Sequence, residues 1–174
     1  MKILMTLALC CAAVILSAQS PWDGKAESVA ISKSKITAQK LTVADGVITA
    51  SGTTTSTDRY TYLTVLVKTA PFTLNGKKLS ATAWGGDCKP GDTLYIKART
   101  AGNKCVLSAY KGNLPTLEPK QYTIIPEKNG DLNWIPHQIN APIDAPIIEL
   151  EFTFGRKGNG NDLKLMVKDI KLVD

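Results

Sequence analysis

Imidazole is almost absent from this chain: His137 is the only histidine in 174 residues. A histidine-built zinc site is therefore excluded, and His137 itself sits behind Pro136 with no metal-ligand spacing around it. The four cysteines stand at positions 10, 11, 88 and 105, a spacing that excludes a four-cysteine zinc site as well. There is no nucleophile elbow and no phosphate loop. No internal repeat at a fixed period is found, and no run of basic residues dense enough to track nucleic acid. Long Ala/Glu/Leu stretches are missing too, which argues against a helical bundle. Aromatic residues are sparse at 6%, so each one's position matters.

Lys2 precedes an apolar run from Ile3 to Leu16, and Ser17-Ala18-Gln19-Ser20 follows. A basic start, a short apolar core and small residues at the exit predict a secretory signal peptide over residues 1–18. The run is too short to favour a membrane span. Cleavage after Ala18 removes Lys2, Cys10 and Cys11, which lowers the formal charge from +6 to +5 and leaves two cysteines. The mature protein is expected to be secreted, to a periplasmic or extracellular location, without a membrane span and without nucleic-acid partners.

The mature chain carries strand signals and almost no helical ones. Residues 19–40 have no clear period and read as a lead-in to a domain over residues 41–174. Within that domain Leu41–Val43 and Gly46–Thr49 flank the turn Asp45-Gly46, and Tyr60–Lys68 alternates strongly. Leu63, Val65 and Val67 fall on one face of that strand, and Tyr60, Tyr62 and Thr64 on the other. Leu79–Trp84, Thr93–Arg99, Lys104–Tyr110, Tyr122–Ile125, Ile147–Phe154 and Leu163–Val173 complete eight or nine short strands. Their links are rich in Gly, Pro and Asn. The pattern predicts an all-β fold, an antiparallel β-sandwich or jelly roll.

One hairpin can be registered from its side chains. Joining Thr93–Arg99 to Lys104–Tyr110 through Thr100-Ala101-Gly102-Asn103 pairs Ala98 with Cys105, Ile96 with Leu107 and Leu94 with Ala109. Tyr95 and Tyr110 then become diagonal neighbours, roughly 7–8 Å apart. Cys105 falls near the hairpin tip, about 20 Å from the strand end next to Cys88. That separation opposes a disulfide, which the oxidising compartment favours; the two arguments leave the bond open. In the last strand the apolar phase of Leu163, Leu165 and Val167 switches to Ile170 and Leu172. A β-bulge near Lys168 explains the switch, as would burial of both faces.

Four segments occur here in a telling order: Phe72-Thr73-Leu74-Asn75-Gly76-Lys77-Lys78-Leu79, then Asp92-Thr93-Leu94-Tyr95-Ile96-Lys97-Ala98, then the isolated Trp134, then Leu165-Met166-Val167-Lys168-Asp169-Ile170-Lys171-Leu172. Together they resemble the galactose-binding-like β-jelly rolls of non-catalytic carbohydrate-binding modules, over roughly residues 40–173. The resemblance implies a polysaccharide ligand and no catalysis. It also implies a structural calcium ion held in part by Asp169, although members usually carry two acids in a row where Lys168-Asp169 stands here. Modules of this kind are usually appended to enzymes, so polysaccharide-degrading enzymes or another protein are implied as partners.

A pyranose offers an apolar C–H face and a ring of hydroxyls, so its binding needs aromatic plates beside planar polar groups. Trp84, Tyr95, Tyr110 and Trp134 are the candidate plates; Lys97, Arg99, Asn129 and Gln138 are the candidate hydrogen-bonding groups. The positive charge would suit an acidic polysaccharide. For Trp84 and Trp134 a core role is equally open, and Trp22 reads as a terminal strut. Glu149 and Glu151 recur on one strand face, a pattern of an exposed strand rather than of a glycosidase pair. The competing expectation is a structural or protein-interacting jelly roll of the cell envelope. At least two of the four plates exposed on one face would favour sugar binding.

Overall fold

A computed structural model describes residues 20–32, 36–55, 60–112, 118–125, 132–157 and 162–174. The expected signal segment and Asn129 lie outside the described residues. Among the described residues, eleven strands form two antiparallel sheets: β1 (Val29–Ile31), β2 (Ile36–Ala44), β3 (Val47–Thr54), β4 (Thr61–Phe72), β5 (Lys78–Gly85), β6 (Thr93–Arg99), β7 (Cys105–Gly112), β8 (Lys120–Ile124), β9 (Asn133–Trp134), β10 (Ile147–Arg156) and β11 (Asp162–Val173). One sheet runs β1-β4-β10-β6-β7-β9, the other β2-β3-β11-β5-β8. The all-β sandwich read from the alternation is the observed fold.

Period-2 patterning builds the core directly. Leu63, Val65 and Val67 of β4, Leu150, Phe152 and Phe154 of β10, and Leu94, Ile96 and Ala98 of β6 are all fully buried. They meet Ile48 and Ala50 of β3, Leu165 and Val167 of β11, and Leu79 and Ala81 of β5 in one continuous cluster. Tyr122 of β8 joins them at 1% exposure.

Of the expected lead-in over residues 19–40, the described parts, 20–32 and 36–40, are stitched into the sandwich. Val29–Ile31 pairs with Val65–Val67 as an edge strand, and Ile36 lies opposite Thr54 in β2. Trp22 is a strut, buried in the core cluster with its indole N–H donated to Ser28 Oγ at 2.8 Å. No apolar periodicity marks this stretch, because each short piece packs through a single large side chain.

The β6–β7 hairpin also departs from its expected register. Ala98 pairs with Leu107, Ile96 with Ala109 and Leu94 with Lys111, two residues further along β7, and Tyr95 stands directly opposite Tyr110. The connection is longer than four residues: Thr100 N donates to Lys104 O at 2.9 Å around a turn with Gly102 and Asn103 at positive φ. A bulge between Ala98 and Arg99 then places Cys105 opposite Arg99. The shift is even, so the apolar faces of β6 and β7 still coincide. Cys88 and Cys105 are not joined in a disulfide.

The bulge expected near Lys168 is present. Lys168 pairs with Thr82 and Lys171 with Ser80, and the extra residue is Asp169 at φ 51°.

At one end of the sandwich Arg156, 2% exposed, is clamped by Asp92, 1% exposed. Nε donates to Oδ1 at 3.0 Å and Nη2 to Oδ2 at 2.6 Å. Arg156 also donates to the Asp87 carbonyl and lies 5.5 Å from the Phe154 ring centre. Asp92 hydrogen bonding raises the guanidinium pKa further against the opposing effect of burial. Arg156 thus closes the β5–β6 connection onto β10.

Candidate ligand-binding face

The outward positions of β4, β10, β6 and β7 line up in four rungs across the sheet. The first is Tyr62, Gly155, Thr93 and Gly112; the second is Thr64, Thr153, Tyr95 and Tyr110. The third is Leu66, Glu151, Lys97 and Ser108, and the fourth Lys68, Glu149, Arg99 and Cys105. Aromatic residues thus occupy one half of the face and ionic residues the other.

Gly155 is what lets the aromatic half form. A Cβ there would stand 2.8 Å from the Tyr62 ring and 2.6 Å from Thr93 Oγ1. The bare backbone allows the Tyr62 ring to lie down over β10, as aromatic side chains do beside strand glycines. Tyr62 then meets Tyr95 edge-on, with centroids 6.1 Å apart and planes at 77°. Tyr95 stacks on Tyr110 at 5.7 Å and 24°, and Tyr60 on Tyr62 at 6.2 Å and 16°. Both geometries are favoured for aromatic pairs. Partial burial, with lesser contributions from Tyr95 and Tyr60, raises the Tyr62 phenol pKa above the ordinary tyrosine range.

The ionic half is cross-linked by Glu151. Its Oε2 accepts from Arg99 Nε at 2.8 Å and Nη2 at 2.5 Å, while Arg99 Nη1 donates to Asn103 Oδ1 at 2.8 Å. Lys97 Nζ is 3.7 Å from Glu151 Oε1, which also accepts from Thr153 Oγ1 at 3.3 Å. Thr153 and Thr64 share a hydroxyl hydrogen bond of 2.9 Å. Gln138, from the turn Pro136–Gln138, accepts from Ser108 Oγ at 2.8 Å. This leaves its amide nitrogen as a spare donor. A pocket of about 330 Å³ opens between the two halves, lined by Tyr62, Thr64, Tyr95, Lys97, Gln138, Glu151 and Thr153.

Of the plates expected from sequence, Tyr95 and Tyr110 are brought together, half-buried on one face, and Lys97 and Arg99 stand beside them. Trp84 is not there. It lies on the other sheet, opposite Met166 of β11 and on the outward phase of β5. Trp134 is not there either: it packs against the core beneath the sheet edge, with Val106, Ile139 and Ala141 around it. Tyr62, Thr64 and Thr153 were not among the expected binding residues, and Glu151 was set aside as a plain surface acid. The signal for Tyr62 was visible in its outward phase on an otherwise apolar strand.

Asp169 is exposed in its bulge, with Lys168 Nζ at 3.6 Å and Thr82 Oγ1 at 3.3 Å. No group of three or more His, Cys, Asp or Glu side chains able to hold a metal occurs among the described residues. Calcium wants six to eight oxygens with several carboxylates; the pocket beside the bulge offers two, Asp169 and Asp23, each within 4 Å of a lysine ammonium, a set that fits that ion poorly.

No family model and no curated protein matches the sequence. Solved structures do. The family 11 carbohydrate-binding module of Clostridium thermocellum, described in complex with a β-1,3-1,4-mixed-linked tetrasaccharide, superposes with a TM-score of 0.55 at 13% identity, over 90% of this chain and 94% of that one. The fold is that of a carbohydrate-binding module. A module of family 28, described as specific for non-crystalline cellulose, gives 0.51 at 10% identity over 90% and 95% of the two chains. An agarase gives 0.60 at 12% identity over 89% of this chain, which spans only 24% of the agarase. The likeness to carbohydrate-binding modules over nearly their whole length agrees with the family resemblance of the sequence. No helix among the described residues is long and apolar enough to cross a membrane.

Proposed function

We propose that this chain is a secreted, non-catalytic carbohydrate-binding domain that holds a neutral polysaccharide segment on the tyrosine face of its six-stranded sheet. The observation that carries the reading is the juxtaposition of the Tyr62–Tyr95–Tyr110 surface with Lys97, Glu151 and Gln138 around one pocket. The rings offer flat apolar surface to the C–H face of a sugar. Glu151 accepts from hydroxyls, and Lys97 and the Gln138 amide donate to them. Glu151 offsets the charge of Lys97 and Arg99, which favours a neutral ligand at this face over an acidic one. The likeness to carbohydrate-binding modules over nearly their whole length supports binding without turnover. The agarase likeness supports a role alongside polysaccharide-degrading enzymes.

Affinity electrophoresis of the mature protein through gels containing agarose, mixed-linked β-glucan, soluble cellulose derivative or xylan tests this. At least one gel retards the wild type, and Tyr95→Ala weakens retention about tenfold, the equivalent of 1.4 kcal/mol. No retardation by any of the four, or unchanged retardation of a folded Tyr62→Ala/Tyr95→Ala double variant, overturns the reading. The former result would leave the structural or protein-interaction role.

A further inference from the structure

The outer face of the five-stranded sheet bears a second set of groups unlike the first. Lys40, Ser51 and Lys164 form one rung across β2, β3 and β11. At strand spacings of about 4.8 Å, the two lysine backbones stand about 10 Å apart with the serine hydroxyl between them. Lys40 and Lys164 are both exposed, and no ion pair among the described residues includes either.

The rung continues onto Gly86, whose backbone N–H donates to Lys164 O at 3.0 Å. A Cβ at Gly86 would stand 2.7–2.8 Å from the Lys164 stem, so that stem lies across bare backbone. Trp84 follows two residues earlier on the same face of β5, paired with Met166. The groove bounded by Lys40, Ser51, Thr53, Gly86 and Lys164 holds about 390 Å³. Two acids also line it, and each already has a partner, Asp162 within the groove and Asp87 at its rim. Asp162 accepts from Thr53 Oγ1 at 2.7 Å, and Asp87 faces Arg156 at 3.3 Å and Lys89 at 3.7 Å. Lys168 and Lys171 continue the positive outward phase along β11, opposite Thr82 and Ser80.

We infer that this face is a second, independent binding site, for an anionic polysaccharide. A chain laid across the strands meets Lys40, Ser51 and Lys164, then the half-buried Trp84 ring. The ammoniums take sulfate or carboxylate groups, the hydroxyls of Ser51 and Thr53 take ring hydroxyls, and Trp84 takes a sugar face. The indole and the strip of hydroxyls favour a sugar polymer over a lipid surface or a nucleic acid. The net positive charge thus acts here, on the sheet opposite the tyrosines, where no ion pair among the described residues ties up Lys40 or Lys164. The inference does not rest on the tyrosine face, and either reading can fail alone.

The test is affinity electrophoresis of the mature protein through dextran sulfate, polygalacturonate and unmodified dextran, with a separate titration of duplex DNA. Wild type is expected to be retarded by the sulfated gel, the uronate gel or both, less so as salt rises, and not by dextran. Which polyanion retards it assigns the ligand group as sulfate or carboxylate. Lys40→Gln/Lys164→Gln should weaken retention about tenfold, one decade per 1.4 kcal/mol. The lysine control Lys77→Gln/Lys104→Gln and the tyrosine-face variant Tyr95→Ala should leave it unchanged. Thermal melts verify folding, and Lys164→Arg, which keeps the charge, should retain binding. Three results would each overturn the inference: no retardation by either polyanion, equal loss in the control pair, or tighter binding to DNA than to both polysaccharides.

Discussion

Replacing Asp92 by Ala probes the closure at the end of the sandwich. The carboxylate is 1% exposed and accepts from Arg156 Nε at 3.0 Å, from Arg156 Nη2 at 2.6 Å and from the Lys89 backbone N–H at 2.6 Å. Its removal strands a guanidinium that is itself 2% exposed. The nearest remaining acid is Asp87, at 3.3 Å but with its side chain 61% exposed. Breaking a buried pair in this way costs about 3–5 kcal/mol, because the surviving charge stays buried without compensation. For a domain of this size each kcal/mol moves the midpoint by about 2–4 °C, so a fall of about 10 °C is expected. Urea unfolding followed by far-ultraviolet circular dichroism gives the free energy, and a thermal scan gives the midpoint. Asp87→Ala, an exposed partner, should cost less than about 1 kcal/mol. Asp92→Leu/Arg156→Met, which removes both charges, should recover most of the loss. The reasoning fails if Asp92→Ala is within about 1 kcal/mol of wild type, or if the double variant is no more stable than the single one.

Gly155→Ala should lift the Tyr62 ring, costing about 1–3 kcal/mol by overpacking and weakening sugar retention, readable by denaturation and affinity electrophoresis together. Phe152→Ala, at the centre of the core with no exposed surface, should cost about 3–5 kcal/mol in urea unfolding. Ultraviolet difference titration should place the Tyr62 phenol above the ordinary tyrosine range, with Tyr62→Phe identifying its contribution. Because its folded pKa is raised, the stability tied to that phenol is intact below the unfolded value and is lost as pH climbs through the folded one. Calcium or a chelator should move the melting midpoint by less than about 1 °C, since stabilisation requires binding to the folded state, and Asp169 stands beside an ammonium.

Much of the sandwich was legible because its strands alternate: β4, β6, β10 and the first half of β11 each declare a buried phase. Asp169 declared its own bulge by standing where an apolar residue was due. The N-terminal stretch was not legible, since Trp22 and Val29 dock singly and leave no period. The hairpin slip between β6 and β7 was hidden because a two-residue shift keeps every apolar residue on its side. For the site, Tyr95, Lys97 and Arg99 were read on one outward face with Tyr110, but Tyr110 was placed diagonal to Tyr95 and stands directly opposite it. Tyr62 was not joined to them, because the order β4-β10-β6 that brings it over Gly155 depends on strands far apart in sequence. Trp84 and Trp134 could not be placed from sequence, because a large ring at a strand end gives no sign of which sheet or edge it serves.

The three residues of β1 have a consequence out of proportion to their number. They cover Val65–Val67 at the middle of β4, while β4 itself runs from Thr61 to Phe72. A bare β4 would offer a long row of unsatisfied amides and carbonyls to the corresponding row of another molecule. With β1 in place that row is interrupted at its centre, and Lys68 and Pro71 blunt one flank. Shortening the protein to residue 36 would therefore do more than remove a strut. It would open the edge of β4 to strand-to-strand self-association, and light scattering on the shortened chain would register the change.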